Sequence, residues 1–326
     1  VSRADTVGIV GGGRFGTALG SVLARANRRV LLWSRDAAVV DSIQTRRTSP
    51  RLPDAALPAS LTATTDPRLL AAEARFLVMA VSSTNVRERA RELGNYLDGS
   101  HIVVHAVGAL ATPNNERVSE VVGEGLPTLK IGVLAGPALP ADLVSGEYAS
   151  MVIASNFEEV VAEGRRLLNA PPVLRVYSSK DLAGVELASA LAGAYTLALG
   201  LCDGLGMGVG PRAVLVTRIV AEASRLCVAA SGKERTFAGL AGLGNMLVRA
   251  TERSADYALG RRLADGVLTA DTQRTEGARA AVAGAELAET LRVRMPVLTG
   301  VAAVINGKLD PREAALLIGD TVAIEE

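Results

Sequence analysis

The sequence predicts an α/β protein with two parts: an N-terminal Rossmann-like, doubly wound, mostly parallel sheet, and an all-helical C-terminal domain. Three observations predict it. Short apolar runs alternate with helical patterns through the first half of the 326 residues, as strands and crossover helices do around a parallel sheet. A glycine-rich turn, Gly11-Gly12-Gly13-Arg14-Phe15-Gly16, follows the first apolar run at once. Beyond Tyr177 the pattern changes to long segments rich in small residues, broken by Gly and Pro as at Gly208-Val209-Gly210-Pro211.

Residues 6–10 read as a buried strand, 17–26 as a helix and 29–33 as a second strand. A helix is expected over 36–44. Residues 48–65 contain Pro50, Pro53 and Pro58. Proline has no N–H to give a ladder, so this stretch reads as a loop. Residues 75–81 and 100–106 are apolar runs of strand length on either side of a helical pattern at 85–96, and 131–135 and 150–154 continue the series. The boundary falls near 178–180, giving a dinucleotide-binding domain at 1–178 and a helical, substrate-type domain at 179–326. Two cores are expected at this length.

Composition narrows the function classes. Apolar residues make up 49% and charged residues 21%, which suits a globular chain. A net charge of +1 provides no basic field for nucleic acid and no polybasic membrane anchor. With aromatics at 3%, Ala, Val and Leu must fill the cores. Cys202 and Cys227 lie in apolar helical stretches and read as buried small hydrophobes, which fits a reducing cytoplasm. No leader and no membrane span is read. Two histidines and two distant cysteines give no metal-ligand spacing, and no nucleophile elbow is present. The Ala-rich second half offers surface for a homodimer.

The glycine turn carries the first chemical signal. Gly11 permits the tight turn, Gly13 lets the backbone approach a pyrophosphate, and Gly16 lets helix and strand pack closely. The N–H groups at the start of the helix that follows favour an anion, and Arg14 and Phe15 of the turn are counted with the cofactor-contacting residues. The expected ligand is therefore a dinucleotide, the other reading being a vestigial turn. At the end of the second strand stand Trp33, Ser34 and Arg35. No acid is there for a ribose 2′-OH, while Arg35 suits a 2′-phosphate, so NADP is favoured over NAD. The other reading of Arg35 is a solvated surface charge.

Further residues carry a resemblance. Gly16-Thr17-Ala18-Leu19, Leu32-Trp33-Ser34-Arg35-Asp36, Leu57-Pro58, residues 62–66 (TATTD) and Gly136-Pro137 resemble the first domain of the NAD(P)-dependent glycerol-3-phosphate dehydrogenase family. Residues 181–191 (DLAGVELASAL), Thr217-Arg218 with Glu222, residues 236–244 (TFAGLAGLG), Gly260, Gly266 and Glu276-Gly277 resemble its second domain, in order. The resemblance covers nearly the whole chain. It implies hydride transfer between a nicotinamide and dihydroxyacetone phosphate, with Glu276 added to the cofactor-contacting positions.

The same resemblance marks departures. The family's Lys before a Gly at the end of a first-domain strand is Val107 here, before Gly108. Its Lys-Asn pair on the first long helix of the second domain is Ala192-Gly193. Its Asp after the Gly-Leu-Gly run is Asn245, and the Thr four residues later is Arg249. Its Ser-Arg-Asn reads Ser254-Ala255-Asp256. Val107 and Ala192 carry neither proton nor charge, Asn245 is not a carboxylate, and Ala255 lacks a guanidinium. Carbonyl reduction needs a proton donor and groups that stabilise developing negative charge, so no catalytic group of the family type is expected. His105 is the candidate substitute. It lies two positions before Val107, on the same face if the strand runs that far, and it titrates near neutrality. The other reading is a packed histidine. Arg249 is a candidate anion ligand, or else a surface Arg.

Three functions follow. The first is a nucleotide-binding family member without the family reaction, serving as a sensor or acting through a protein partner. The second is a dehydrogenase for a different hydroxy or keto compound. The third is an active glycerol-3-phosphate dehydrogenase.

Overall fold

The computed structural model describes residues 3–267, 272 and 275–320. The chain forms two compact units. One holds the residues up to Val107 together with Ala111–Leu182; the other holds Gly108–Leu110 and the residues from Ala183 onward.

The first unit is built on eight strands: β1 (Thr6–Val10), β2 (Arg29–Trp33), β3 (Leu61–Thr64), β4 (Phe76–Met79), β5 (Ile102–His105), β6 (Ile131–Ala135), β7 (Ala149–Ser155) and β8 (Leu174–Ser179). Their order is β3-β2-β1-β4-β5-β6-β7-β8. Every pairing is parallel except β6 with β7. Helices α1 (Arg14–Arg25), α2 (Ala37–Asp41), α3 (Pro67–Glu73), α4 (Val86–Gly94), α5 (Val118–Gly125), α6 (Pro140–Ser145) and α7 (Glu158–Leu168) cover the faces. Leu19, Leu23 and Val160 belong to one core, and Leu70, Leu93 and Val121 to the other. Strands buried on both faces read as continuous apolar runs, which is why β1 and β4 are fully buried along their length. From β1 the chain builds outward through β2 and β3, then returns to place β4 on the other side. That reversal opens a crevice at the carboxyl ends of β1 and β4, the place where such sheets bind ligands.

Several boundaries differ from expectation. The loop expected over 48–65 contains β3, an edge strand whose Thr residues alternate with buried Leu61 and Ala63. An edge strand shows half its side chains to solvent, so no continuous apolar run marks it. The first helix opens at Arg14 rather than 17, because Gly13 already serves as its N-cap. The helix expected over 36–44 stops at Asp41 and continues as a wider turn, Ser42–Arg46. β5 ends at His105, so Val107 lies beyond the strand and strand alternation does not relate it to His105.

The second unit is helical among the described residues, with α8 (Leu182–Gly204), α9 (Val209–Ala229), α10 (Asn245–Arg249), α11 (Ala255–Ala264), α12 (Glu276–Thr290), α13 (Pro296–Ile305) and α14 (Pro311–Asp320). α8 is long and apolar enough to cross a bilayer, but its apolar window is wholly buried inside the protein. Cys202 and Cys227 are buried and unbridged. Tyr195 on α8 stacks edge-on against Phe237 and donates its hydroxyl to Glu222 of α9 at 2.8 Å. Glu222 also accepts the N–H groups of Val297 and Leu298 at the start of α13, at 2.9 and 3.0 Å. Burial outweighs these bonds and raises the Glu222 carboxyl to about 6.

Candidate functional site

The crevice end of β1 has the form its glycines require. Gly11 has φ +118°, and a Cβ there would stand 2.4 Å from the carbonyl oxygen of Ala80. A Cβ on Gly16 would meet the Gly11 carbonyl at 2.3 Å. Both therefore serve the fold as well as any ligand. Gly13 differs. A Cβ there would have no heavy atom within 4 Å, so its missing side chain leaves open space. It caps α1 without a side-chain bond, and the first N–H groups of the helix are left for an anion. Arg14 beside it is exposed, and Phe15 packs on the core. These residues fit a dinucleotide pyrophosphate.

Ser34 is buried, and its hydroxyl accepts the Asp36 N–H at 3.2 Å. Arg35 pairs with Glu88 of α4 at 3.1 Å, both side chains being more than half exposed. An exposed pair of this kind is weak, so Arg35 can exchange Glu88 for a phosphate. Arg89 holds Glu88 below the usual carboxylate range.

His105 is 1% exposed at the end of β5, beside Met79 and Val133. Its Nδ1 lies 3.5 Å from the Val107 N–H, a long contact in which the ring accepts. Val107 is buried in the core that also holds Val103.

In the helical unit three of the departures from the family pattern, Gly193, Asp256 and Arg249, lie in series against one another. Ala192 is fully buried and Asn245 nearly so. Gly193 lies against Gly277; a Cβ there would be 3.1 Å from the Gly277 Cα and 3.4 Å from Asp256 Oδ2. Asp256 is buried and accepts the Gly277 N–H at 2.9 Å. Its Oδ2 lies 3.8 Å from Nη1 of Arg249. Nη2 of Arg249 in turn comes within 3.8 Å of the spot a Gly108 Cβ would occupy, and Ser189 Oγ within 4.0 Å. Ala255, by contrast, is exposed at the start of α11. Glu276, at the first turn of α12, pairs with Arg279 at 2.9 Å.

Sequence reasoning singled out Arg249, Gly193 and Asp256 separately. It missed Ser189, although Ser189 precedes Ala192 by three positions and so shares its helix face. It also missed that Asp256 caps α12.

Comparison with known proteins agrees with this architecture. The N-terminal model of the NAD-dependent glycerol-3-phosphate dehydrogenase family matches residues 6–161, and its C-terminal model residues 181–316. A glycerol-3-phosphate dehydrogenase (NAD(P)+) of Halorhodospira halophila is 36% identical over 312 residues, 93% of each chain. That of Carboxydothermus hydrogenoformans is 34% identical over 316 residues, 94% of each. The crystal structure of the Coxiella burnetii glycerol-3-phosphate dehydrogenase superposes with a TM-score of 0.90 at 28% identity, covering 98% of this chain and all of that one. The crevice, the two matched halves and the full-length coverage together place this chain in the NAD-dependent glycerol-3-phosphate dehydrogenase family.

Proposed function

We propose that this protein binds NADP(H), or NAD(H) less tightly, through the Gly11–Gly16 turn, and that it does not reduce dihydroxyacetone phosphate. The first half rests on Gly13: its open side and uncapped helix start suit a pyrophosphate. Arg35 would take the 2′-phosphate. A bound nicotinamide would supply the hydride chemistry of the family; what the chain must add is a proton donor and cationic stabilisation.

The second half rests on one observation. Ala192 is fully buried within α8 at the position where the family carries Lys. Val107, Asn245 and Ala255 add no acid and no charge. Losing one general acid costs about 10²–10⁴ in rate, and losing one electrostatic stabiliser about 10²–10³. In this reading the protein is a cytoplasmic homodimer that senses the nucleotide or presents it to a protein partner. Titrating purified protein with NADPH and with NADH, then assaying dihydroxyacetone phosphate reduction at high protein concentration, tests both halves. Turnover in the ordinary enzyme range of about 1–10³ per second would overturn the second and return the chain to active glycerol-3-phosphate dehydrogenases.

A second reading is favoured by Arg249, which puts a guanidinium at the position where the family pattern has Thr. In it, the chain is a dehydrogenase for a different hydroxy or keto compound, with His105 as the proton donor.

A further inference from the structure

We propose that Ser189 and Arg249 form a binding subsite for a small monocarboxylate, over the backbone of Gly108. All three belong to the helical unit.

Apart from chain neighbours, the position a Gly108 Cβ would fill has two heavy atoms within 4 Å: Arg249 Nη2 at 3.8 Å and Ser189 Oγ at 4.0 Å. A guanidinium and a hydroxyl thus border one small space that a glycine leaves open. Ser189 is 6% exposed, and its hydroxyl has no hydrogen-bond partner among the described residues. A hydroxyl without a protein partner is left to donate to a ligand oxygen. Arg249 turns Nη1 towards Asp256 and leaves Nη2 for a second acceptor.

Charge selects the ligand class. Arg249 and Asp256 together are near neutral. A carboxylate added to them leaves one net negative charge. A phosphate dianion would leave two, with Asp256 facing it across the guanidinium. The planar fork of Arg matches a carboxylate, and Ser189 can donate to an oxygen of the same ligand. The subsite therefore favours a monocarboxylate of the size of a hydroxy or keto acid over a phosphate ester. This inference deepens the reading of a rebuilt substrate site and rests on it.

Calorimetric titration of the full-length protein with glycolate, pyruvate and inorganic phosphate, with and without saturating NADPH, tests it. One of the two carboxylates is expected to bind at least about tenfold more tightly than phosphate, and Arg249→Gln and Ser189→Ala are each expected to weaken that binding, Arg249→Gln by about tenfold or more. Asp256→Asn, which removes the opposing charge but keeps an acceptor for Gly277, is expected to narrow the preference by raising phosphate affinity. Equal or tighter phosphate binding to the wild type would overturn the proposal, as would carboxylate affinity that ignores Arg249→Gln or no carboxylate binding at all. Titration with NADPH alone reads the nucleotide turn separately. Its failure beside intact carboxylate binding removes the proposed cofactor and leaves the subsite standing.

Discussion

The Asp256 carboxylate accepts the backbone N–H of Gly277 at 2.9 Å, in the first turn of α12. Thr275, the N-cap of that helix, takes the next N–H, that of Ala278, at 3.1 Å. Two of the donors that a helix start leaves unsatisfied are thereby met. Asp256→Ala would strand a buried N–H and is expected to cost about 1–3 kcal/mol, read as a lower urea midpoint. Asp256→Asn keeps an acceptor and should cost clearly less. Equal losses in the two variants would mean that the charge matters to stability and the cap does not.

Gly13 and Gly16 separate binding from folding. A Cβ on Gly13 meets nothing, whereas one on Gly16 collides with the Gly11 carbonyl. Gly13→Ala is expected to leave the thermal midpoint within a few degrees of wild type and to weaken NADPH binding at least about tenfold, because the methyl fills the backbone's approach to the pyrophosphate. Gly16→Ala should lower the midpoint outright. Undiminished NADPH affinity in folded Gly13→Ala would place the nucleotide elsewhere.

The cofactor preference is read at Arg35. If its guanidinium takes the 2′-phosphate, Arg35→Ala weakens NADPH by about tenfold and leaves NADH unchanged, since NADH has no phosphate there. Glu88→Gln should strengthen NADPH by freeing Arg35 from its exposed partner. Parallel losses for both nucleotides would assign Arg35 to structure instead.

Glu222 should leave a signature in stability against pH. Its carboxyl rises from an ordinary 4.5 to about 6 in the fold, so between those values the native state holds more proton than the unfolded chain. The associated stability is fully present below about 4.5 and is lost as pH rises through about 6, a change of about 2 kcal/mol. Other carboxylates titrate in the same range, so the comparison is with Glu222→Gln. The wild-type denaturation midpoint, measured relative to that variant, should fall between pH 4.5 and 7. A constant difference would mean that Glu222 titrates alike in the folded and unfolded states.

If the chain lacks the family reaction as proposed, Ala192→Lys alone is not expected to create it. Position 192 is fully buried, and the Ala192 carbonyl is already bonded by the Thr196 hydroxyl at 2.8 Å. A long cation there is expected to destabilise the protein by at least about 1–3 kcal/mol through overpacking alone. Dihydroxyacetone phosphate reduction by this single variant would show that the remaining site is intact.

The buried strands were legible because a parallel sheet covered on both faces demands unbroken apolar runs; β1 and β2 begin and end where the sequence places them. β3 was hidden by its own exposure: Thr62 and Thr64 interrupt the apolar signal, and Pro58 stands just upstream. The glycine turn was legible because each glycine answers a local backbone demand. Ser189 was not. It acquires meaning only beside Gly108 and Arg249, residues 81 positions before it and 60 after it by number, and local pattern carries no record of such convergence. Asp256 stood out in the sequence only as a departure from the family's Ser-Arg-Asn, because its duty to α12 depends on a helix that starts twenty residues later.

The close approach of Gly193 to Gly277 constrains how this chain can change. A side chain at 193 would press on the Gly277 Cα and on Asp256, and one at 277 would strike the Gly193 carbonyl at 2.5 Å. Position 277 cannot gain a side chain without moving a helix, position 193 can only if its neighbours give by a few tenths of an ångström, and Asp256 cannot shrink without leaving the Gly277 N–H unmet. The three residues therefore constrain one another, and a change at one calls for a matching change at its neighbours.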